Sequence, residues 1–143
     1  MTDTDNDDPD AGFAYWISLQ VRHPTLHPTA ITAALGMEPK RSWFVGEPRT
    51  TPKGEPLSGI YDRTYWVVST KVTGHRFFFE EVVTLLQLLE LSREFISEFV
   101  ATGGTLALNI GLDGCRNIGD VIRSADLRRL CDLGIDLGVE VYP

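Results

Sequence analysis

Apolar and polar residues alternate along several stretches of the chain, as in strands that are buried on one face. From Phe13 to Arg22 the apolar side chains occupy every second position. Further strands are predicted at "SWFV" (42–45), "TYWVVSTKV" (64–72), "TLALNIGL" (105–112) and "IDLGVEVY" (135–142). In the last strand the pattern predicts one row of inward side chains: Ile135, Leu137, Val139 and Val141.

Helical spacing of apolar residues separates these strands. A short helix is expected to begin at His27-Pro28-Thr29 and to end at Gly36, because proline suits a first turn and glycine suits a helix end. The longest helical pattern follows His75 and reaches Gly103, with a break near Ser92. Another helix is predicted over "ADLRRLCDL" (125–133), with Ser124 as its N-cap.

The order of these elements is strand, helix, strand, strand, helix, strand, helix, strand. It contains the βαββαβ unit of ferredoxin-like folds, with a helix and a strand appended. Because the clear strands alternate, we predict an α+β fold with a largely antiparallel sheet and helices on one face. The second face is then open, and its candidate docking residues are Trp16, Gln20, Asn109 and Tyr142.

Length and composition fit one domain. We expect residues 1–12, "MTDTDNDDPDAG", to be a disordered acidic leader and residues 13–143 to form a single α+β domain. No apolar run is long enough to span a bilayer, so we expect a cytoplasmic protein that does not contact membranes. Cys115 and Cys131 have no paired-cysteine spacing and are interpreted as reduced, buried side chains.

Charge is distributed unevenly. The net charge of -7 argues against a nucleic-acid partner. Basic residues nevertheless gather in and beside the stretch from Gly46 to Arg63, which has no period, contains three prolines and three glycines, and is interpreted as a long loop. Either this is an ordinary solvated loop, or it holds an anion or an acidic partner. The candidate binding residues are Arg41, Trp43, Arg49, Tyr61, Arg63 and Trp66, although burial of most of these aromatic residues in the core is the competing interpretation.

The sequence contains no recognisable group of catalytic or metal-binding residues. His23 and His27 have the spacing of a helical metal pair, but Pro24 and Pro28 make a helix across them improbable. We therefore predict no catalytic residue, no metal and no cofactor, and we expect that the protein is not an enzyme.

Four stretches carry a family resemblance: "TAITAALGMEP" (29–39), "WFVGE" (43–47), Trp66 with Ser69, and "LRRLCDLGIDLGVEVYP" (127–143). Together they resemble DUF4279, a bacterial family described as a domain of unknown function. The resemblance implies that Thr29, Leu35, Gly36, Pro39, Gly46 and Trp66 belong to a shared pattern. It supplies no catalytic residues, and it implies a role as an immunity or accessory protein of toxin systems for some members.

Two functional hypotheses follow. In the first, the chain is a non-catalytic interaction module that docks another protein through the open sheet face or the basic loop. In the second, it binds a small ligand or anion, as an enzyme or otherwise, in a cleft where Arg41, Arg49, Tyr61 and Trp66 face the ligand. A homodimer that pairs through the last strand or the open face is a third alternative.

Overall fold

The structure, a computed structural model, describes residues 13–75, 77–113 and 117–142 of the chain. In these residues the elements follow one another in the order β1 (Phe13–His23), α1 (Pro28–Leu35), β2 (Arg41–Trp43), β3 (Pro48–Thr50), β4 (Pro56–Ile60), β5 (Thr64–His75), α2 (Phe78–Glu90), α3 (Arg93–Ala101), β6 (Thr105–Asp113), α4 (Ser124–Leu133) and β7 (Ile135–Tyr142). The elements predicted from periodicity are all present, while β3 and β4 are additional. The expected leader, residues 1–12, lies outside the described residues.

A five-stranded sheet with the order β2-β5-β1-β6-β7 forms the centre of the fold. β1 pairs antiparallel with β5 and β6, and β2 pairs antiparallel with β5. β6 and β7 run parallel, and α4 supplies the crossover that parallel neighbours need. The predicted α+β class and largely antiparallel sheet are confirmed, while the ferredoxin-like assignment stays a prediction.

One face of this sheet is packed against the helices. The odd-numbered side chains of β1 from Tyr15 to Val21 are at most 5% exposed. They share one apolar cluster with buried residues from each described helix, including Ile31, Leu86, Ile96 and Leu130. We call this the core face of the sheet.

The boundaries of α1 and α2 follow from local chemistry. His27 caps α1, because its Nδ1 accepts the Thr29 amide hydrogen at 3.2 Å. Gly36 ends α1 in the left-handed conformation with φ of 69°, which only glycine adopts without strain. The predicted break near Ser92 is confirmed between α2 and α3, and the Ser92 hydroxyl there donates to the Ala34 carbonyl at 3.0 Å. In α4, however, the N-cap position is Arg123 rather than Ser124.

The predicted long loop is wrong in one respect, because it contains a β-hairpin. β3 and β4 pair antiparallel, and the Gly46 and Tyr61 amides extend the pairing by donating to the Tyr61 and Glu47 carbonyls. Every residue of β4 is exposed, so no apolar alternation marks it in the sequence. Main-chain hydrogen bonds form this hairpin, and they leave little trace in residue type.

Two burial predictions are also wrong. Val139 and Val141 lie on the core face, as the alternation predicts, but they are 53% and 62% exposed instead of buried. α4 has ten residues and is about 15 Å long, too short to cover an eight-residue strand of about 26 Å. Cys131 is exposed, because the buried stripe of α4 runs through Leu130 and Leu133 instead. Cys115 lies outside the described residues.

Candidate functional site

The face of the sheet opposite the core is not packed against any described helix. Directly opposed residues in neighbouring strands point to the same side, so the strand register defines this face. It carries the even-numbered residues of β1 together with their partners, such as Lys71 opposite Trp16 and Tyr65 opposite Arg22. We call this surface the open face.

A row of small side chains crosses the middle of the open face. Ser18 lies opposite Ser69 on one side and Asn109 on the other, and Asn109 lies beside Gly138. Larger residues stand along the same strands above and below this row, including Trp16 and Tyr65. The result is a groove of about 580 Å³, lined in part by Ser18, Ser69 and Asn109.

The floor of the groove offers hydrogen-bonding groups. The Ser18 hydroxyl donates to the Ser69 hydroxyl at 3.0 Å, which leaves the Ser69 hydrogen available. The side-chain amides of Gln20 and Asn109 make no hydrogen bond to any residue that the structure describes. Asn109 lies directly over Gly138, where an added Cβ would lie 2.1 Å from its Oδ1. Glycine therefore makes room for the Asn109 amide in the groove.

Aromatic side chains form one wall of the groove. Trp16 is 38% exposed and Tyr142 is 53% exposed, and both rings lie against Gly111. The Lys71 ammonium is 5.5 Å from the centre of the Trp16 ring, within range of a cation–π interaction. The Tyr142 hydroxyl donates to the Glu140 carboxylate, and this hydrogen bond raises the pKa of Tyr142. The wall thus combines apolar surface with charge of both signs.

The basic and aromatic residues near the hairpin lie at the other end of the same face. Trp43 stacks between Tyr61 and Tyr65, with ring centres 4.2 and 4.5 Å away. The Arg41 guanidinium lies 4.9 Å from the centre of the Trp43 ring, and that of Arg22 lies 4.8 Å from the centre of the Tyr65 ring. We call these five side chains the aromatic–arginine cluster.

Tyr61 joins the hairpin to this cluster. Its hydroxyl accepts the Thr50 amide hydrogen at 3.0 Å and donates to the Thr50 carbonyl at 3.1 Å. The hydrogen bond that the hydroxyl accepts from the Thr50 amide, followed by the positive charge of Arg41, lowers the pKa of Tyr61. Beside it lies a depression of about 590 Å³ whose lining includes Arg41, Trp43, Arg49 and Tyr61. The hairpin therefore gives the open face a second concavity.

Four of the six residues predicted near the basic loop come together there: Arg41, Trp43, Arg49 and Tyr61. Trp66 does not, because it is fully buried on the core face and its indole donates to the Thr32 hydroxyl at 3.0 Å. Its expected position facing a ligand is wrong. Arg63 also points elsewhere, since its Nη2 donates to the Gly103 carbonyl at 2.9 Å.

All four residues predicted for the open face lie on it and line the groove: Trp16, Gln20, Asn109 and Tyr142. The alternation of β1 already places Arg22 on the outward face, but the sequence interpretation missed Lys71, Ser69 and Tyr65 as parts of the same surface. Alternation within "TYWVVSTKV" is the signal that could have indicated these three, because Tyr65, Ser69 and Lys71 occupy positions of one parity.

His23 and His27 have local structural roles. Both His23 ring nitrogens are engaged, because Nδ1 accepts the Thr25 and Leu26 amide hydrogens and Nε2 contacts the Thr102 hydroxyl at 2.8 Å. Burial, followed by the charge of Arg63, lowers the pKa of His23. Within the described residues no three His, Cys, Asp or Glu side chains are grouped to hold a metal ion.

Comparison with models of known protein families assigns the chain to a family. The family model described as "Domain of unknown function (DUF4279)" matches residues 13–143. The chain belongs to the DUF4279 family. No curated protein and no solved structure matches it. In the part of this DUF4279 chain that the structure describes, no helix has both the length and the apolar character to cross a membrane.

Proposed function

We propose that this DUF4279 protein is a non-catalytic binding module that contacts another protein through its open face. The observation that carries this proposal is the pair of amides on the groove floor. Gln20 and Asn109 are both partly buried, yet neither has a hydrogen-bond partner among the described residues. Their amide atoms are not among the buried, unpartnered polar atoms, so they can donate to and accept from a docked protein without breaking a hydrogen bond to any described residue.

The extent of the open face favours a protein over a small molecule. The sheet has five strands, so its open face is about 19 Å wide across the strands. The aromatic–arginine cluster lies on the β2 and β5 side, while Asp136 and Glu140 lie on β7. We infer a partner surface that presents acidic groups toward the cluster and hydrogen-bonding groups toward the groove.

A second candidate function is supported by the concavity at the hairpin. Arg41, Arg49 and Tyr61 border one depression beside Trp43, which suits an anion attached to a flat ring. Arg41 and Arg49 each donate one hydrogen bond to the hairpin main chain, to Thr50 and Ser58, and a guanidinium has further donors to offer. In this alternative the protein binds a small anionic ligand there.

An immunity or accessory role, which the family resemblance implies for some members, would be carried out through the same open face. We place this role in the bacterial cytoplasm as part of the proposal.

The experiment compares two double variants in partner capture from a lysate of the native organism. Gln20→Ala with Asn109→Ala removes the amides from the groove floor. Gln87→Ala with Asn117→Ala removes the same two side-chain types from exposed positions elsewhere. We expect a stoichiometric protein partner that the wild type and the control retain and the groove variant loses. Equal retention by both variants would contradict a role for the open face.

The alternative has its own test. Thermal unfolding of the wild type and of Arg41→Ala with Arg49→Ala is followed with increasing inorganic phosphate. A rise in Tm with phosphate that only the wild type shows would support anion binding at the hairpin. The same Tm response in both proteins would count against it.

A further inference from the structure

β7 forms one edge of the central sheet, and no strand in the described residues pairs with its outer side. It pairs with β6 along all eight residues without a bulge. Sheet edges in monomers are usually short, bulged, or blocked by lysine or proline. β2, at the opposite edge, has three residues, whereas β7 has no lysine or proline. The β7 edge thus leaves main-chain donors and acceptors available to another strand.

The side chains of β7 also divide by face. Its two acidic residues, Asp136 and Glu140, lie on the open face with Gly138 and Tyr142. The row on the core face is apolar, and its outer members Val139 and Val141 are 53% and 62% exposed. An uncharged row that no described helix covers favours pairing with another apolar row.

We propose that β7 pairs antiparallel with β7 of a second copy of this chain, in the register centred on Val139. In this register the two Val139 side chains lie opposite each other on the two-fold axis. Leu137 then faces Val141 of the second copy, Gly138 faces Glu140, and Asp136 faces Tyr142. Apolar residues meet apolar residues, and no two like charges are opposed.

Neighbouring registers are less favourable, because they either set like charges opposite each other or pair fewer residues. Centring the pair on Gly138 sets Asp136 opposite Glu140 at two symmetric places, and centring it on Glu140 opposes the two Glu140 carboxylates. Like charges directly opposite each other destabilise a strand pair. Centring on Leu137 avoids this repulsion but leaves Glu140, Val141 and Tyr142 unpaired, because their opposite positions lie before the start of β7. Register and charge therefore select Val139 as the centre.

Such a dimer has a continuous ten-stranded sheet, with both open faces on the same side. It requires no particular occupant of the groove, so this inference stands apart from the proposed function. Loss of partner capture and loss of dimerisation are separate results.

The first test is the mass in solution across a concentration series. We expect the wild type to reach twice the chain mass of 15.9 kDa. Val139→Lys sets two ammonium groups opposite each other, and we expect it to raise the dimer Kd at least ~10-fold. Val121→Lys makes the same change at an 81% exposed valine outside the sheet and should remain dimeric. Circular dichroism checks that both variants are folded.

A wild type that stays monomeric at every concentration overturns the proposal. A dimer that Val139→Lys leaves intact overturns it as well.

The second test determines the register. In a background with Cys115→Ser and Cys131→Ser, Val139→Cys should form a disulfide-linked dimer under mild oxidation, because the two thiols meet on the axis. Val141→Cys should not, because the two thiols would be about 13 Å apart in this register. Cross-linking at position 141 but not at 139 would overturn the proposed register.

Discussion

The two faces of the central sheet share the same strands but differ in what their side chains contact. On the core face of β1, Leu19 is fully buried in the apolar cluster. Its neighbour Gln20 lies on the open face with an amide that no described residue satisfies. The same contrast recurs in β5, where Trp66 is buried and Tyr65 joins the aromatic–arginine cluster.

Adjacent residues of one strand therefore serve different purposes: one stabilises the fold, and the next is available for binding. Substitutions on the core face should change the free energy of unfolding. Substitutions on the open face should change what the protein binds while leaving it folded. The following predictions test this division, beginning with the largest expected effect.

Leu19→Ala should lower the free energy of unfolding by about 2–5 kcal/mol, because it leaves a cavity at a fully buried position. Gln20→Ala, one residue away, should change it by less than ~0.5 kcal/mol. Urea unfolding measures both variants under the same conditions. A similar loss in the two would show that the open face is also packed, against part of the chain that is not described.

Gly104 and Gly138 both lie against a neighbouring side chain, but they differ in how easily that neighbour can move. A Cβ at Gly104 would lie 2.2 Å from the Phe99 ring and 2.7 Å from the Phe99 carbonyl oxygen. Gly104→Ala should therefore cost about 1–3 kcal/mol of stability. At Gly138 a Cβ meets the end of the Asn109 side chain, which can swing away, so Gly138→Ala should cost less than ~0.5 kcal/mol. Thermal or urea unfolding compares them, and a larger loss at Gly138 would argue for a rigid groove floor.

His23 makes the stability of the core side depend on pH. Its folded-state pKa is lowered, so the unfolded chain takes up a proton first as the pH falls. Stability should fall as the pH drops below about 6.5, the ordinary histidine pKa, and continue to fall until the folded pKa is reached. His23→Asn, which keeps an acceptor for the following amides, should flatten this dependence. Urea unfolding at several pH values measures it, with His27→Asn as control, and an unchanged slope in His23→Asn would exclude His23 as the cause.

The smallest effect concerns ionisation on the open face and should leave stability unchanged. Tyr61 has a lowered pKa, whereas the pKa of Tyr15, Tyr65 and Tyr142 is raised, for Tyr15 to about 12. Ultraviolet titration should show one early phenol that disappears in Tyr61→Phe. Arg41→Ala should move this transition to higher pH. An early transition that survives in Tyr61→Phe would contradict the hydrogen bonding seen at Thr50.

Much of the architecture could be predicted because strands with one buried face alternate. β1 and β6 have clean alternation, and their inward rows are the buried ones. Gly36 could be predicted as the end of α1, because the left-handed conformation there favours glycine. The open-face residues Trp16, Gln20, Asn109 and Tyr142 followed from the same alternation.

The remaining features depend on contacts that residue type does not encode. In β5 the run from Tyr65 to Val68 is apolar or aromatic at every position, so the sequence does not say which row is buried. For this reason the sequence leaves Trp66 open between the binding surface and the core, and the structure shows it in the core. The exposure of Val139 and Val141 depends on the length of α4 relative to β7, which periodicity alone does not reveal.

The most direct test of the open face as the binding surface is site-specific photo-cross-linking in a native lysate. A photoreactive residue replaces Gln20 in one protein and the exposed Gln87 of α2 in another. We expect a discrete covalent adduct with a protein partner from position 20 and none from position 87. An adduct from position 87 alone would contradict the open face as the docking surface and would locate binding on the helical side.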